Sequence, residues 1–487
     1  MSSIKKNFIY NVFYQVLIII LPLVTAPYLS RVLGPDGLGE YSFTYSVANY
    51  FVLFAMLGVN NYGNRCVARA RGDRRRLSSE FWSVYCFQAL AAAAMACLYC
   101  AYGLILSGRP ALSLLWLPYV LSAGLDVSWL FFGLEEFRLT VARNVCVKLA
   151  TFALILFFVR GEHALQIYCA LMAASFLASA LALWPFVRRS VDFALPSLGS
   201  VASHLKPNLV LFVPVVAVSL YTVMDKVMLG WLSASYAENG YFENAYKIAT
   251  MPTAVITALG TVMLPRVSNL ISKGMRDEAR RYLGDSMWVA LALSFAFCFG
   301  VVGVAPVLVP VLFGEGFAPS ELVMCVIVVD MPFMAWANVI RTQLLIPEGR
   351  DKDYVASVVA GAVVNIAVNL VLIPSFGALG AAFGTLFAEV AVCLVQSVAV
   401  RGEVPMAKWI GGSLSFLFVG AAMAVAVRTI GDVLGTSALT LMIQVVSGAA
   451  LYAGLAWVWC VLTSDQHYRS VVAPTLRRIS GKIGIRH

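Results

Sequence analysis

The stretch RVLGPDGLGEYSFTY, residues 31–45, closes the first apolar run of the chain, and KVMLGWLSASYAENGYFENAY, residues 226–246, closes the seventh. Each carries a basic residue (Arg31, Lys226), then aliphatic residues and a glycine (Gly34, Gly230). After a turn come a second glycine (Gly39, Gly240), an acid (Glu40, Glu243) and a tyrosine (Tyr45, Tyr246). A pattern repeated this way marks an internal duplication. Runs 1–6 and 7–12 then read as parallel copies, with two runs added after them. Repeats of this kind place a substrate site at their interface near the bilayer middle and permit alternating access by rocking.

Composition sets the environment for that repeat. Of 487 residues, 61% are hydrophobic and 12% charged, with a mean hydropathy of +0.83, which excludes water-soluble domains as the main content. A spanning helix needs about 20 mostly apolar residues, and the chain offers about fourteen such runs, from 10–33 to 437–462. The expected fold is an all-α polytopic membrane protein with two pseudo-symmetric six-helix lobes around a central cavity plus two extra helices. The expected divisions are residues 1–206, 207–400 and 401–487. The first run follows Lys5 and Lys6 as a signal peptide would, but its length, Pro22, Pro27 and the lack of a small-residue cleavage site identify it as a helix bent by its prolines.

The loops are short, so no soluble catalytic domain fits between spans, and no Gly-rich loop with Gly-Lys-Ser/Thr occurs. ATP is not the direct fuel, no cofactor is implied, and the chain reads as a non-enzyme. Ten cysteines lie mostly within spans, and Cys97 with Cys100 has no partner pair or nearby histidine, so packing thiols are expected and no metal site. His163, His204, His467 and His487 are scattered and suggest no catalytic constellation.

Further blocks accompany the repeat. TAPYLSRVLGPDGLGEYSFTYSVANYF (25–51), NNYGNR (60–65), MDKVMLG (224–230), MLPRVS (263–268) and VNIAVNLVLIPSFGALGAAFGTLFAE (364–389) together resemble the signature stretches of polysaccharide-transporter flippases. These are the Wzx-type carriers of lipid-linked oligosaccharides, in the superfamily that also holds multidrug/cation antiporters and lipid II flippases. The resemblance runs from about residue 5 to 400. It implies movement of an undecaprenyl-pyrophosphate-linked sugar unit from the cytoplasmic to the outer leaflet of the bacterial inner membrane, for O-antigen, capsule or exopolysaccharide synthesis. Membrane lipids, a polysaccharide polymerase and chain-length machinery are the implied partners, and no nucleic acid is. A drug/cation antiporter of the same fold is the rival reading. A membrane polysaccharide polymerase is a weaker one, because the chain lacks a sizeable outward loop carrying Arg or His.

A charge at membrane depth costs on the order of 3 kcal/mol or more, so the charges inside spans are the candidate working residues. In a helical hairpin, residues equidistant from the turn lie at one depth. With a turn near Tyr236, Asp225, Lys226 and Lys247 share a level, and Glu243 lies at i, i+4 to Lys247. Arg31 and Glu40 match around Pro35, and Asp126 and Lys148 match around Phe137. Glu40, Asp225 and Glu243 are expected in structural ion pairs, Asp225 with Lys247. Arg31, Lys148, Lys226, Lys247 and Arg341 are the candidate pyrophosphate cations. Asn49, Asn338, Asn365 and Asn369, with Tyr or Trp faces, are candidates for sugar contacts, although membrane Asn also glues helices together. Asp126, Asp330 and Glu389 are candidate proton carriers.

Orientation follows from the basic residues. With the N-terminus inside, 27 Lys and Arg fall on the cytoplasmic side and 4 on the other, and both termini are inside. A topology reporter that works only in the cytoplasm should therefore be active when fused at Ser78 and at the C-terminus; activity only of outward-reading reporters at both sites would reverse the assignment.

Overall fold

The computed structural model describes the backbone of residues 2–463 and the side chains of 21–463 apart from Pro214 and Tyr221. The side chains of Lys5 and Lys6 and the basic tail at 469–486 lie outside the described residues. Helices account for nearly all of what is described, and no strand is present among the described residues beyond an isolated Arg401–Val404 bridge. Eleven helical segments are long and apolar enough to cross a membrane. Two of them each hold two of the expected runs. Leu21–Ala70 reverses at Gly34 (φ 66°, ψ −179°), and Asp351–Ala399 reverses at Gly377 (φ 52°, ψ −127°). These positive φ values suit glycine. The run expected at 208–231 is instead cut into Leu205–Thr222 and Met224–Leu232.

Apolar surface points outward, as a bilayer solvent requires. In the helix Phe137–Phe158 only Thr140 and Ile155 are buried, and Phe157, Leu104 and Val371 are each more than half exposed. Such apolar faces would be intolerable in water.

The chain divides into two compact units, the first comprising residues up to Trp231 with Ser235–Gly240, the second Leu232–Ala234 with the chain from Tyr241 on. Within the second, Met406–Leu434 packs along Arg276–Phe313 and Ala438–Leu462 packs on both. Gly303 and Gly420 admit Val427 and Phe299, Gln444 Nε2 donates to Val427 O at 2.8 Å, and Tyr452 Oη donates to Ala292 O at 2.6 Å. The two helices that follow the repeat are thus bound into the second unit.

Within the first unit, side chains fasten the chain leading out of the sixth run onto the helix Arg74–Ile105. Asp73 caps that helix, accepting from Arg75 N at 2.9 Å and Arg76 N at 3.2 Å. Arg74 binds Asp192 through Nε and Nη2, both at 2.8 Å. This hydrogen bonding from Arg74 holds the Asp192 carboxyl below its ordinary value. Trp82 Nε1 donates to Asp192 O at 2.9 Å, and Ser83 and Ser200 hydroxyls meet at 2.7 Å.

The two repeated turns meet in the same unit. A Cβ added at Gly39 would fall 1.7 Å from Tyr236 O, and one added at Gly240 would fall 2.1 Å from Pro35 O. Asp36 Oδ1 closes the contact, accepting from Ser235 Oγ and Ala237 N, each at 3.1 Å. Beside it Gly230 makes room for the Phe43 ring, where a Cβ would lie 2.1 Å from Cδ2. The repeated glycines therefore serve a close approach of two backbones. Gly39→Ala and Gly240→Ala should each lower the folded fraction, by about 1–3 kcal/mol or more because the opposing atoms are backbone. Gly412→Ala, with open space around it, should be neutral. Fluorescence-detected size exclusion of membrane-extracted protein measures this, and equal monodisperse yield for all three would refute the contact.

Candidate functional site

Two of the runs that carry candidate charges are interrupted where those charges sit. The fourth run is split into Leu117–Leu125 and Ser128–Gly133, with Asp126 at the break (φ −77°, ψ 110°). A break frees carbonyls that hydrocarbon cannot solvate, so side chains must take them up. Gln88, fully buried, donates through Nε2 to Ala123 O at 2.6 Å and Asp126 O at 2.9 Å, and accepts from Trp129 Nε1 at 2.9 Å. Trp184 Nε1 takes Leu125 O at 2.8 Å. The Asp126 carboxylate accepts from Ser128 N at 2.9 Å and from the Ser128 hydroxyl. Arg143 donates to that same hydroxyl at 2.9 Å. Lys148, the residue expected at the depth of Asp126, is exposed on Phe137–Phe158.

The seventh run breaks at Val223, so Asp225 enters the first turn of Met224–Leu232. The helix dipole favours a negative charge there, which lowers the cost of burying Asp225 at 1% exposure. Tyr50 Oη donates to Ser219 O at 2.9 Å on the other side of the break, and Asn239 Nδ2 donates to Lys226 O at 2.6 Å. Lys226 itself is half-buried.

Glu40 meets Arg109 at 2.6 Å, with the Arg109 guanidinium over the Tyr236 ring 5.3 Å from its centroid. Arg31 donates to Pro27 O at 3.2 Å and is exposed. Asn49 Oδ1 accepts from Tyr119 Oη at 2.7 Å. Around Tyr119 lies an aromatic group in which Tyr45 is 5.5 Å and Phe176 4.2 Å away, with Trp116 5.2 Å from Tyr45. Of these rings the sequence repeat had singled out Tyr45 alone.

In the second unit Lys247 pairs with Glu243 at 3.0 Å. Arg341 opens a π-helical turn, Arg341–Leu345, and its guanidinium lies over the Tyr354 ring at 5.7 Å. Such turns often mark functional positions. Glu389 lies near enough to Arg341, and Asp330 to Glu389, for electrostatic coupling within the membrane. Two candidate proton carriers and one candidate cation thus come together. Asn338 is buried against Gly260. Asn365 and Asn369 are fully buried, Asn369 Nδ2 donating to Asn365 Oδ1 at 3.1 Å, and both abut Gly384. That position suits helix gluing better than contact with a sugar.

Residues that sequence reading passed over include Gln88, Arg109 and Arg143. Gln88 lacks charge and Arg109 falls in a loop, so neither carried a signal; their roles come from the breaks and turns they face. A cavity of about 220 Å³ in the second unit is lined by Arg276, Arg280, Gln343, Glu348, Arg350 and Glu403.

The family model of polysaccharide biosynthesis proteins matches residues 4–271. A protein of Escherichia coli K12 named for O-antigen transport is 24% identical over 403 residues, spanning 81% of this chain and 95% of its own. A glycan biosynthesis flippase of Haloferax volcanii, by its name, is 23% identical over 203 residues, 42% of each chain. Among solved structures, lipid II flippase MurJ in an inward closed conformation superposes with a TM-score of 0.76 at 13% identity, covering 94% of this chain and 99% of that one. An inward-facing multidrug MATE transporter reaches 0.63 at 14% identity, over 82% and 98%. These likenesses establish the fold.

Gln88→Leu keeps the volume and removes three hydrogen bonds at the fourth-run break. With about 1–3 kcal/mol for each buried group left unpaired, the variant should melt well below the parent in detergent. An unchanged melting temperature would show that the break is held by other groups.

Proposed function

We propose, from the premise that the chain belongs to the polysaccharide biosynthesis protein family, that it is a flippase for lipid-linked oligosaccharides. It carries undecaprenyl-pyrophosphate-linked repeat units from the cytoplasmic to the outer leaflet of the inner membrane by alternating access. The observation that carries this reading is the match over nearly the whole length of a relative named for O-antigen transport. Among the described residues no soluble catalytic domain interrupts the helices, which suits a carrier.

In this reading Lys226 presents its ammonium to the pyrophosphate, beside an Asp225 settled in a helix N-terminal turn. Arg31, Lys148, Lys247 and Arg341 supply further positive charge along the path, with Arg109 already engaged by Glu40. Asn49 and the Tyr45, Trp116 and Tyr119 rings serve the sugar. Asn338, Asn365 and Asn369 support the helices around the path. Asp330 and Glu389, near Arg341, carry a proton if a gradient drives transport, because each can change charge once desolvated. Asp126 is less suited, since its carboxylate is spent on Ser128. The termini and the 65–76 loop are cytoplasmic, and polymerase and chain-length proteins receive the product.

Deletion of the gene should accumulate lipid-linked repeat units that an outward-facing glycosidase cannot reach, and complementation should clear them. Lys226→Ala should fail to complement at unchanged membrane abundance, whereas Asp225→Asn should lower abundance. One of Asp330→Asn, Glu389→Gln or Asp126→Asn should lose gradient-dependent flipping. Normal polymer export and no accumulation in the deletion strain would overturn the assignment. Full export by Lys226→Ala would remove Lys226 from the path and leave the assignment standing.

A further inference from the structure

Three side chains from separate elements of the first unit converge. Cys66 lies on Val59–Ala70, Glu80 on Arg74–Ile105, and His204 follows Leu198–Ser203. Cys66 Sγ, a Glu80 carboxylate oxygen and a His204 ring nitrogen all lie within 4.8 Å of one another. A tetrahedral ion with bonds of about 2.0–2.3 Å holds its donors about 3.3–3.8 Å apart, so side-chain adjustments of about an ångström close the set.

His204 supplies an independent sign. It is 5% exposed, and its Nε2 is buried with no hydrogen-bond partner, while Nδ1 lies 2.8 Å from Tyr62 Oη. A buried polar atom left unpaired costs about 1–3 kcal/mol, a cost that metal coordination removes. The tyrosine contact resembles the outer partner that orients metal-bound imidazoles. The His204 backbone is fixed as well, its carbonyl accepting from Asn208 Nδ2 at 2.9 Å and from Asn208 N at 3.1 Å.

We propose that Cys66, Glu80 and His204 form a binding site for a divalent ion of the zinc class, with water in the fourth position. One thiolate, one imidazole and one carboxylate suit borderline-soft Zn²⁺ and are poor for Mg²⁺ or Ca²⁺. The thiol loses its proton to solvent as the Zn–S bond forms, and no redox partner is required. The ion would tie the segment at 191–204 to the helices Val59–Ala70 and Arg74–Ile105, reinforcing the Asp192 contacts. This site is independent of the flippase assignment.

The full-length purified chain, stripped with EDTA and exchanged into chelator-free buffer, is titrated with ZnCl₂ against a competing indicator and separately with CoCl₂. The parent should bind one Zn²⁺ per chain, and Co²⁺ should produce a thiolate charge-transfer band. Cys66→Ser, Glu80→Gln and His204→Gln should each weaken binding at least 10-fold, and Cys66→Ser should abolish the band. Cys97→Ser should change neither. Should His204→Gln not fold, Cys66→Ser decides alone, because it replaces sulfur by oxygen with little change of shape. Absence of Zn²⁺ binding by the parent, or an unaltered band in Cys66→Ser, would overturn the proposal.

Discussion

Backbone N–H and C=O groups cannot be left unpaired in hydrocarbon, and that constraint bears on the two helix breaks at Asp126 and Val223. The fourth and seventh runs break. At the first break Gln88 and Trp184 take up the freed carbonyls; at the second the backbone itself bridges, Val223 N to Ser219 O and Lys226 N to Val223 O, with Tyr50 and Asn239 adding bonds on either side. The second break leaves a helix N-terminus buried inside the first unit. Asp225 occupies such an end, so its burial, which looks prohibitive on an unbroken helix, has a local reason.

Hydrophobic runs, hairpin turns and the internal repeat were legible in the sequence because each depends on local pattern: length of apolar stretch, Gly with Pro, and recurrence of a motif. The breaks were not. Val223 is an apolar residue in an apolar run, and nothing about it signals an end of helix; Asp126, at the other break, was read for its charge and not as an end of helix. The depth arithmetic that paired Arg31 with Glu40 and Lys148 with Asp126 assumed straight, regular hairpins. In the structure Glu40 meets Arg109 from the loop ahead of the fourth run, and Asp126 turns its carboxylate onto Ser128 two residues on. Where the hairpin is regular and the spacing is one helical turn, as for Glu243 and Lys247, sequence spacing and geometry agree.

The candidate residues also separate by kind. Asn365 and Asn369 are enclosed between the two arms of Asp351–Ala399 against Gly384, a place where amides hold helices in register. Glu389, Asp330 and Arg341 gather beside a π-turn. Fold likeness to both flippases and drug transporters fits this division: the helix scaffold is common, and the substrate is decided by which few polar groups are placed on it.

The reciprocal fit of Gly39 on Tyr236 O and Gly240 on Pro35 O bears on how a duplicated chain can change. After duplication two copies normally drift apart, each accumulating its own substitutions. Here the glycine of one copy is shaped by the turn of the other, so a larger residue or an inserted loop residue in either copy must be answered in its counterpart. The two turns therefore form one inherited unit despite lying some two hundred residues apart in the chain. Chimaeras that exchange half of this protein with a relative would have to carry both turns across together.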